Sequence, residues 1–121
     1  MMNTNYAKTV TDNNREIAIT ILNQLGGKRF VVMTGAKDFL AVKNGLQFKI
    51  GRNASKANRV EIKLNGLDLY DVRFYRQTGG NLNKNYEWVP VKETEVKTFN
   101  DCYCDMLEDI FTSVTGLYTR F

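Results

Sequence analysis

Val60-Glu61-Ile62-Lys63-Leu64-Asn65-Gly66-Leu67-Asp68-Leu69-Tyr70-Asp71-Val72-Arg73-Phe74-Tyr75-Arg76 decides the fold. Val60 to Leu64 alternate apolar and charged side chains, and so do Tyr70 to Phe74, the period of a strand with one buried face. Asn65-Gly66 between them signals a hairpin. A two-residue turn would set Leu64 opposite Leu67 and Val60 opposite Asp71, burying an acid beside the core. A longer loop over 65–69, or a bulge, pairs Leu64, Ile62 and Val60 with Tyr70, Val72 and Phe74 and keeps the apolar faces together. The longer connection is therefore expected.

The same signals extend in both directions. Phe39 to Val42 and Leu46 to Ile50 flank Lys43-Asn44-Gly45, a second hairpin, and Arg29 to Met33 reads as a further short strand ended by Thr34-Gly35. Residues 77–85 read as a flexible loop. Tyr86 to Val96 follows as a strand whose Pro90 demands an edge position or a bulge. At the N-terminal side Ile17, Ala18, Ile21, Leu22 and Leu25 form one helical stripe, capped by Thr11 or Asp12 and stopped by Gly26-Gly27. At the other end Phe99, Tyr103, Met106, Ile110 and Val114, widened by Leu107 and Phe111, predict a helix. Thr98 and Asp101 would form its capping box and Gly116 would end it. The apolar tail 117–121 is expected to dock on the domain or on a partner.

The fold expected is α+β and two-layered. About five mostly antiparallel, hairpin-built strands make the sheet, with an N-terminal and a C-terminal helix packed on it. Residues 11–121 form the single domain, preceded by a flexible arm at 1–10. A chain of 121 residues, 43% hydrophobic and 25% charged, suffices for one core without metals or disulfides. No apolar run reaches the roughly 20 residues of a membrane span, and the first residues lack the pattern of a signal peptide, so a cytoplasmic location with no membrane partner is expected. Cys102 and Cys104, two apart in a segment read as helical, would point about 200° apart and stay reduced.

Charge is sorted along the chain. Residues 28–84 hold twelve of the 17 Lys and Arg and four of the 13 Asp and Glu, a net +8, whereas residues 85–121 carry −4. Such a division points to binding surfaces rather than chemistry. The chain has no histidine, which removes Ser-His and Cys-His pairs and most zinc sites. No catalytic residue, metal or cofactor is expected. Asp68 and Asp71 could hold a divalent cation, but loop acids are the simpler reading. Asp101, Asp105, Glu108 and Asp109 would form an acidic helical ridge, most simply a solvated face. Thr34-Gly35-Ala36-Lys37 supplies a glycine turn beside a lysine, without the spacing of a phosphate-binding loop.

The basic middle carries the functional expectation. Lys43, Lys49, Arg52, Lys56, Arg59, Lys63, Arg73 and Arg76 spread over the hairpins, and Tyr75 and Tyr86 offer stacking platforms for unpaired bases. Strand alternation would place many of these cations on the open sheet face. The competing reading is a solubilising surface that blocks edge aggregation.

Taken together, Leu25-Gly26-Gly27-Lys28-Arg29-Phe30, Met33-Thr34-Gly35-Ala36-Lys37-Asp38-Phe39, Leu46 to Lys49, Val60 to Asp71 and Met106 through Thr119 resemble a group of small uncharacterised proteins encoded by bacteriophages, prophages and mobile elements. The resemblance covers residues 17–121, and the 77–85 loop and the two cysteines depart from it. It implies a mobile-element setting in a bacterial host and assigns no catalytic residue. The expectation is a non-enzymatic accessory protein that binds nucleic acid through its basic face. The alternative is a protein-binding module, either self-associating or an inhibitor of a host defence factor.

Overall fold

A computed structural model describes the backbone of residues 2–119 and the side chains of residues 13–119. Strands β1 (Lys37–Val42), β2 (Gly45–Lys49), β3 (Arg59–Leu64), β4 (Tyr70–Thr78) and β7 (Lys92–Cys102) form one antiparallel sheet in the order β1-β2-β3-β4-β7. A two-stranded excursion, β5 (Asn81–Leu82) with β6 (Trp88–Val89), is inserted between β4 and β7. Helices α1 (Met2–Leu25), α2 (Lys28–Thr34) and α3 (Leu107–Thr115) cover one face, and a 3-10 turn at Cys104–Met106 leads into α3. This is the two-layer α+β arrangement expected of the chain.

The register of the deciding hairpin follows from burial. Leu64, Ile62 and Val60 pair with Tyr70, Val72 and Phe74, as the longer loop requires. Asn65 holds that loop, accepting the amides of Leu67 and Leu69 on its side-chain oxygen and donating to Asp71 and Asp101. On the covered face Leu46, Phe48, Val60, Ile62, Val72 and Phe74 meet Ile21 and Leu25 of α1, Phe30 of α2 and Ile110 and Phe111 of α3. Phe30 lies edge-on to Phe48 at 5.6 Å and to Phe111 at 5.0 Å, the arrangement ring quadrupoles favour. Gly26 and Gly27, both at positive φ, stop α1 where the sequence predicts.

Several elements differ from expectation. Arg29 to Met33 is not a strand but lies in α2, because Phe30 and Thr34, four apart, are its buried residues. A four-residue apolar run, Phe30 to Met33, fits a helical turn buried on one side as well as a strand. The C-terminal helix starts at Leu107, not near Thr98, and Phe99 and Cys102 reach the core from β7 instead. Thr98 therefore caps no helix, and Tyr103 and Met106 are exposed. Residues 77–85 are not a loop throughout, since β4 continues to Thr78 and β5 follows. The backbone of α1 includes most of the stretch read as an arm, whose side chains lie outside the described residues. In the tail Leu117 packs on the core and Thr119 is buried, while Arg120 and Phe121 lie outside the described residues. Both cysteines are free thiols, Cys102 buried and Cys104 exposed.

Candidate nucleic-acid interface

The uncovered sheet face carries charge in cross-strand rows. Lys37, Lys49 and Arg59 stand opposite one another across β1, β2 and β3, and Tyr75 and Glu95 continue the row. Side chains so placed have Cβ atoms about 5 Å apart, and like charges there destabilise a sheet unless something neutralises them. The next row is Leu40, Gln47, Glu61, Arg73 and Thr98. Here the charges compensate: Arg73 donates to Glu93 at 2.8 Å and to Glu95, and Lys63 stands 3.9 Å from Glu61. The open face thus carries many of the cations that alternation places there, positive toward β1 and internally paired with acids toward β7.

Tyr75 is withdrawn from the interface. Its ring is fully buried beneath the Arg73 guanidinium, 4.0 Å from the centroid, and its hydroxyl accepts a 2.7 Å hydrogen bond from Gln47 Nε2. It therefore offers no face to a base, contrary to the sequence-based expectation. Burial, followed by the neighbouring Glu93 and Glu61, raises the phenol pKa and keeps it neutral.

The strongest cationic grouping lies in the β2–β3 connection, residues 50–58. Asn53 folds it, donating to the Gly51 and Ala57 carbonyls at 2.8 and 2.7 Å while accepting from Ser55. The Ala54 amide donates to Thr115 O, fastening the loop to the end of α3. Asn58 behaves like an added strand residue, exchanging side-chain hydrogen bonds of 2.9 and 2.8 Å with the backbone of Gln77 in β4. Those bonds shape a cleft of about 790 Å³ lined by Arg52 and Lys56 from the loop and Arg76 from β4. Arg76 Nη1 donates to the Lys56 carbonyl at 3.0 Å, which holds that guanidinium at the rim. Among the described residues no Asp or Glu lines the cleft, and none of the three cations enters an ion pair.

Of the predicted set, then, Arg52, Lys56 and Arg76 meet in the cleft, and Lys49 and Arg59 occupy the open-face row at the same end of the sheet. Lys63 and Arg73 are engaged with acids, and exposed Lys43 sits in the hairpin turn at the opposite end. Tyr86 is exposed in the β5–β6 turn. Lys37 and Trp88 were not in the predicted set, although Lys37 completes the row and Trp88 is 64% exposed on β6. Trp88 signals itself only as an aromatic two residues before Pro90, too little to identify from sequence.

The other sites weighed in the sequence have internal uses. The Gly35 amide closes α2 onto Val31 O, and the Ala36 amide donates to the Thr34 hydroxyl, so this turn presents no free cradle for an anion. Asp71 accepts from Asn65 and from the Asp101 amide, tying the β3–β4 loop to β7. The acidic ridge does not form, because Asp101 ends in β7 and Asp105 in the 3-10 turn ahead of α3. No protein-family model, curated protein or solved structure matches the chain.

Proposed function

We propose that the protein is a non-enzymatic accessory factor of a bacteriophage or mobile element, and that it binds nucleic acid in the host cytoplasm through the cationic end of its sheet. The observation that carries this reading is the cleft. Arg52, Lys56 and Arg76 line it around a hydrogen-bonded loop, with no acid among the described residues that line it. Lys37, Lys49 and Arg59 extend positive charge from it onto the open face. Uncompensated cations fixed by a stiff loop suit a phosphodiester backbone, which supplies the missing negative charge and recognises no particular base. The resemblance to mobile-element proteins supplies the biological setting.

Affinity for a duplex should fall with salt at a log–log slope of about −5 if all six cations meet phosphates, at roughly 0.9 per contact. Fluorescence anisotropy of a labelled oligonucleotide at two salt concentrations measures it. The triple variant Arg52→Glu, Lys56→Glu, Arg76→Glu should bind at least about 100-fold more weakly, because charge-assisted contacts are worth about 1.5–3 kcal/mol each. Unchanged affinity in that variant, or no binding at low salt, would remove the reading.

A further inference from the structure

We infer that the β5–β6 arm, residues 79–91, captures unpaired nucleotides by stacking, with Trp88 the main platform and Tyr86 the second. The protein then prefers single-stranded to duplex nucleic acid. This rests on the nucleic-acid reading above and names the form of substrate.

The arm is built rather than slack. Gly79 and Gly80, at φ +82 and +70, turn it out of the β4–β7 ladder, and the Gly80 amide donates to Val89 O at 2.7 Å. Asn83 closes its tip, accepting the amides of Asn85 and Glu87 on its side-chain oxygen. On this frame Tyr86 is 84% exposed and Trp88 64%, and Leu82, paired with Trp88 across the two strands, is 56% exposed. Among the described residues neither ring packs on another aromatic ring. A two-stranded ladder this short gains little from leaving an indole in water, so the exposure has no explanation in the fold.

Position supplies the occupant. The arm leaves the sheet at the end where Asn58 meets Gln77, the end that carries the cleft. Arg76 of the cleft and Leu82 of the arm are six residues apart in sequence, a reach of at most about 22 Å. Phosphates held by Arg52, Lys56 and Arg76 would therefore bring the neighbouring bases of the same strand to the arm. Aromatic faces beside a cationic groove are how proteins hold single strands without reading sequence, because every base has a π-face. A duplex keeps its bases stacked inside and offers the arm nothing equivalent.

Trp88 is the single tryptophan of the chain, so its emission reports the arm alone. Labelled oligothymidylate and a duplex of equal length are titrated at low salt, following probe anisotropy and Trp88 emission together. Oligothymidylate should quench the emission while the duplex does not. Trp88→Ala should weaken oligothymidylate binding at least about fivefold, the lower end of a base-stacking contribution, with duplex affinity within twofold and an unchanged urea midpoint. Trp88→Phe should retain most of the affinity. Binding of oligothymidylate with unaltered emission, or equal weakening of both probes by Trp88→Ala, overturns the stacking role and leaves the cationic interface standing. Failure of both probes to bind overturns the two together.

Discussion

Tyr75 shows how far a residue's role depends on what closes over it. In the sequence it is an aromatic among cations; in the fold Arg73 and Gln47 seal it, and the tyrosine becomes a core residue on the uncovered side of the sheet. Tyr75→Phe should keep the packing and lose the Gln47 hydrogen bond, lowering stability by about 1 kcal/mol in urea denaturation. Phe30→Ala removes a fully buried ring wedged between Phe48 and Phe111 and should cost about 3–5 kcal/mol by the same measurement. The Thr98 hydroxyl and then the Arg73 guanidinium hold the Glu95 carboxyl below its ordinary value of 4.5. A depressed folded-state pKa stabilises above the unfolded value, and the contribution disappears as pH falls through the folded one. Urea midpoints of the wild type and Arg73→Met should therefore differ at neutral pH and converge as the solution is acidified below about 4.5.

At the scale of elements, legibility tracked burial. The β3–β4 pairing is readable because each strand has one wet and one dry face, so a one-residue slip would bury Asp71. β7 is an edge strand exposed over most of its length, so its sequence alternates nothing, and the apolar spacing from Phe99 onward imitates a helix. α2 is obscure for a different reason: seven residues give a helix too few turns to display a period. The cleft was half legible. Its three cations stand in the sequence, but their convergence depends on Asn53 and Asn58 folding the connection, and loop residues carry no periodicity. A Cβ at Gly79 would lie 2.0 Å from the Pro90 carbonyl oxygen, at a φ already unfavourable for side chains. Gly79→Ala should therefore loosen the arm, accelerating hydrogen exchange at the Gly80 and Asn83 amides while leaving β2 and β3 protected.

Across the whole molecule, the regional division of charge becomes a gradient across the sheet, positive toward β1 and neutralised toward β7, where Glu93 and Glu95 pair with Arg73. The end with the β2–β3 connection carries Arg52, Lys56, Arg76, Lys49 and Arg59, with Glu93 and Glu95 on the β7 side, whereas the end with the β3–β4 loop carries Asp68, Asp71 and Asp101 beside Lys43 and Lys63. Lys43 is separated from the cleft by the length of β2, about 17 Å at strand rise and twice the physiological screening distance of about 8 Å. Lys43→Glu should accordingly change nucleic-acid affinity less than about twofold at physiological salt, and Arg52→Glu at least about tenfold, compared by anisotropy. The β5–β6 excursion also affects how such a molecule can change over generations. It hangs from two adjacent antiparallel strands and interrupts no other pairing in the sheet. Replacing its thirteen residues with a short turn would alter the loop-closure term by only about 1 kcal/mol, since that term grows with the logarithm of length. The arm is therefore an exchangeable cassette: its length and aromatic content can change at a cost of about 1 kcal/mol in loop closure, with the pairings of the five-stranded sheet intact.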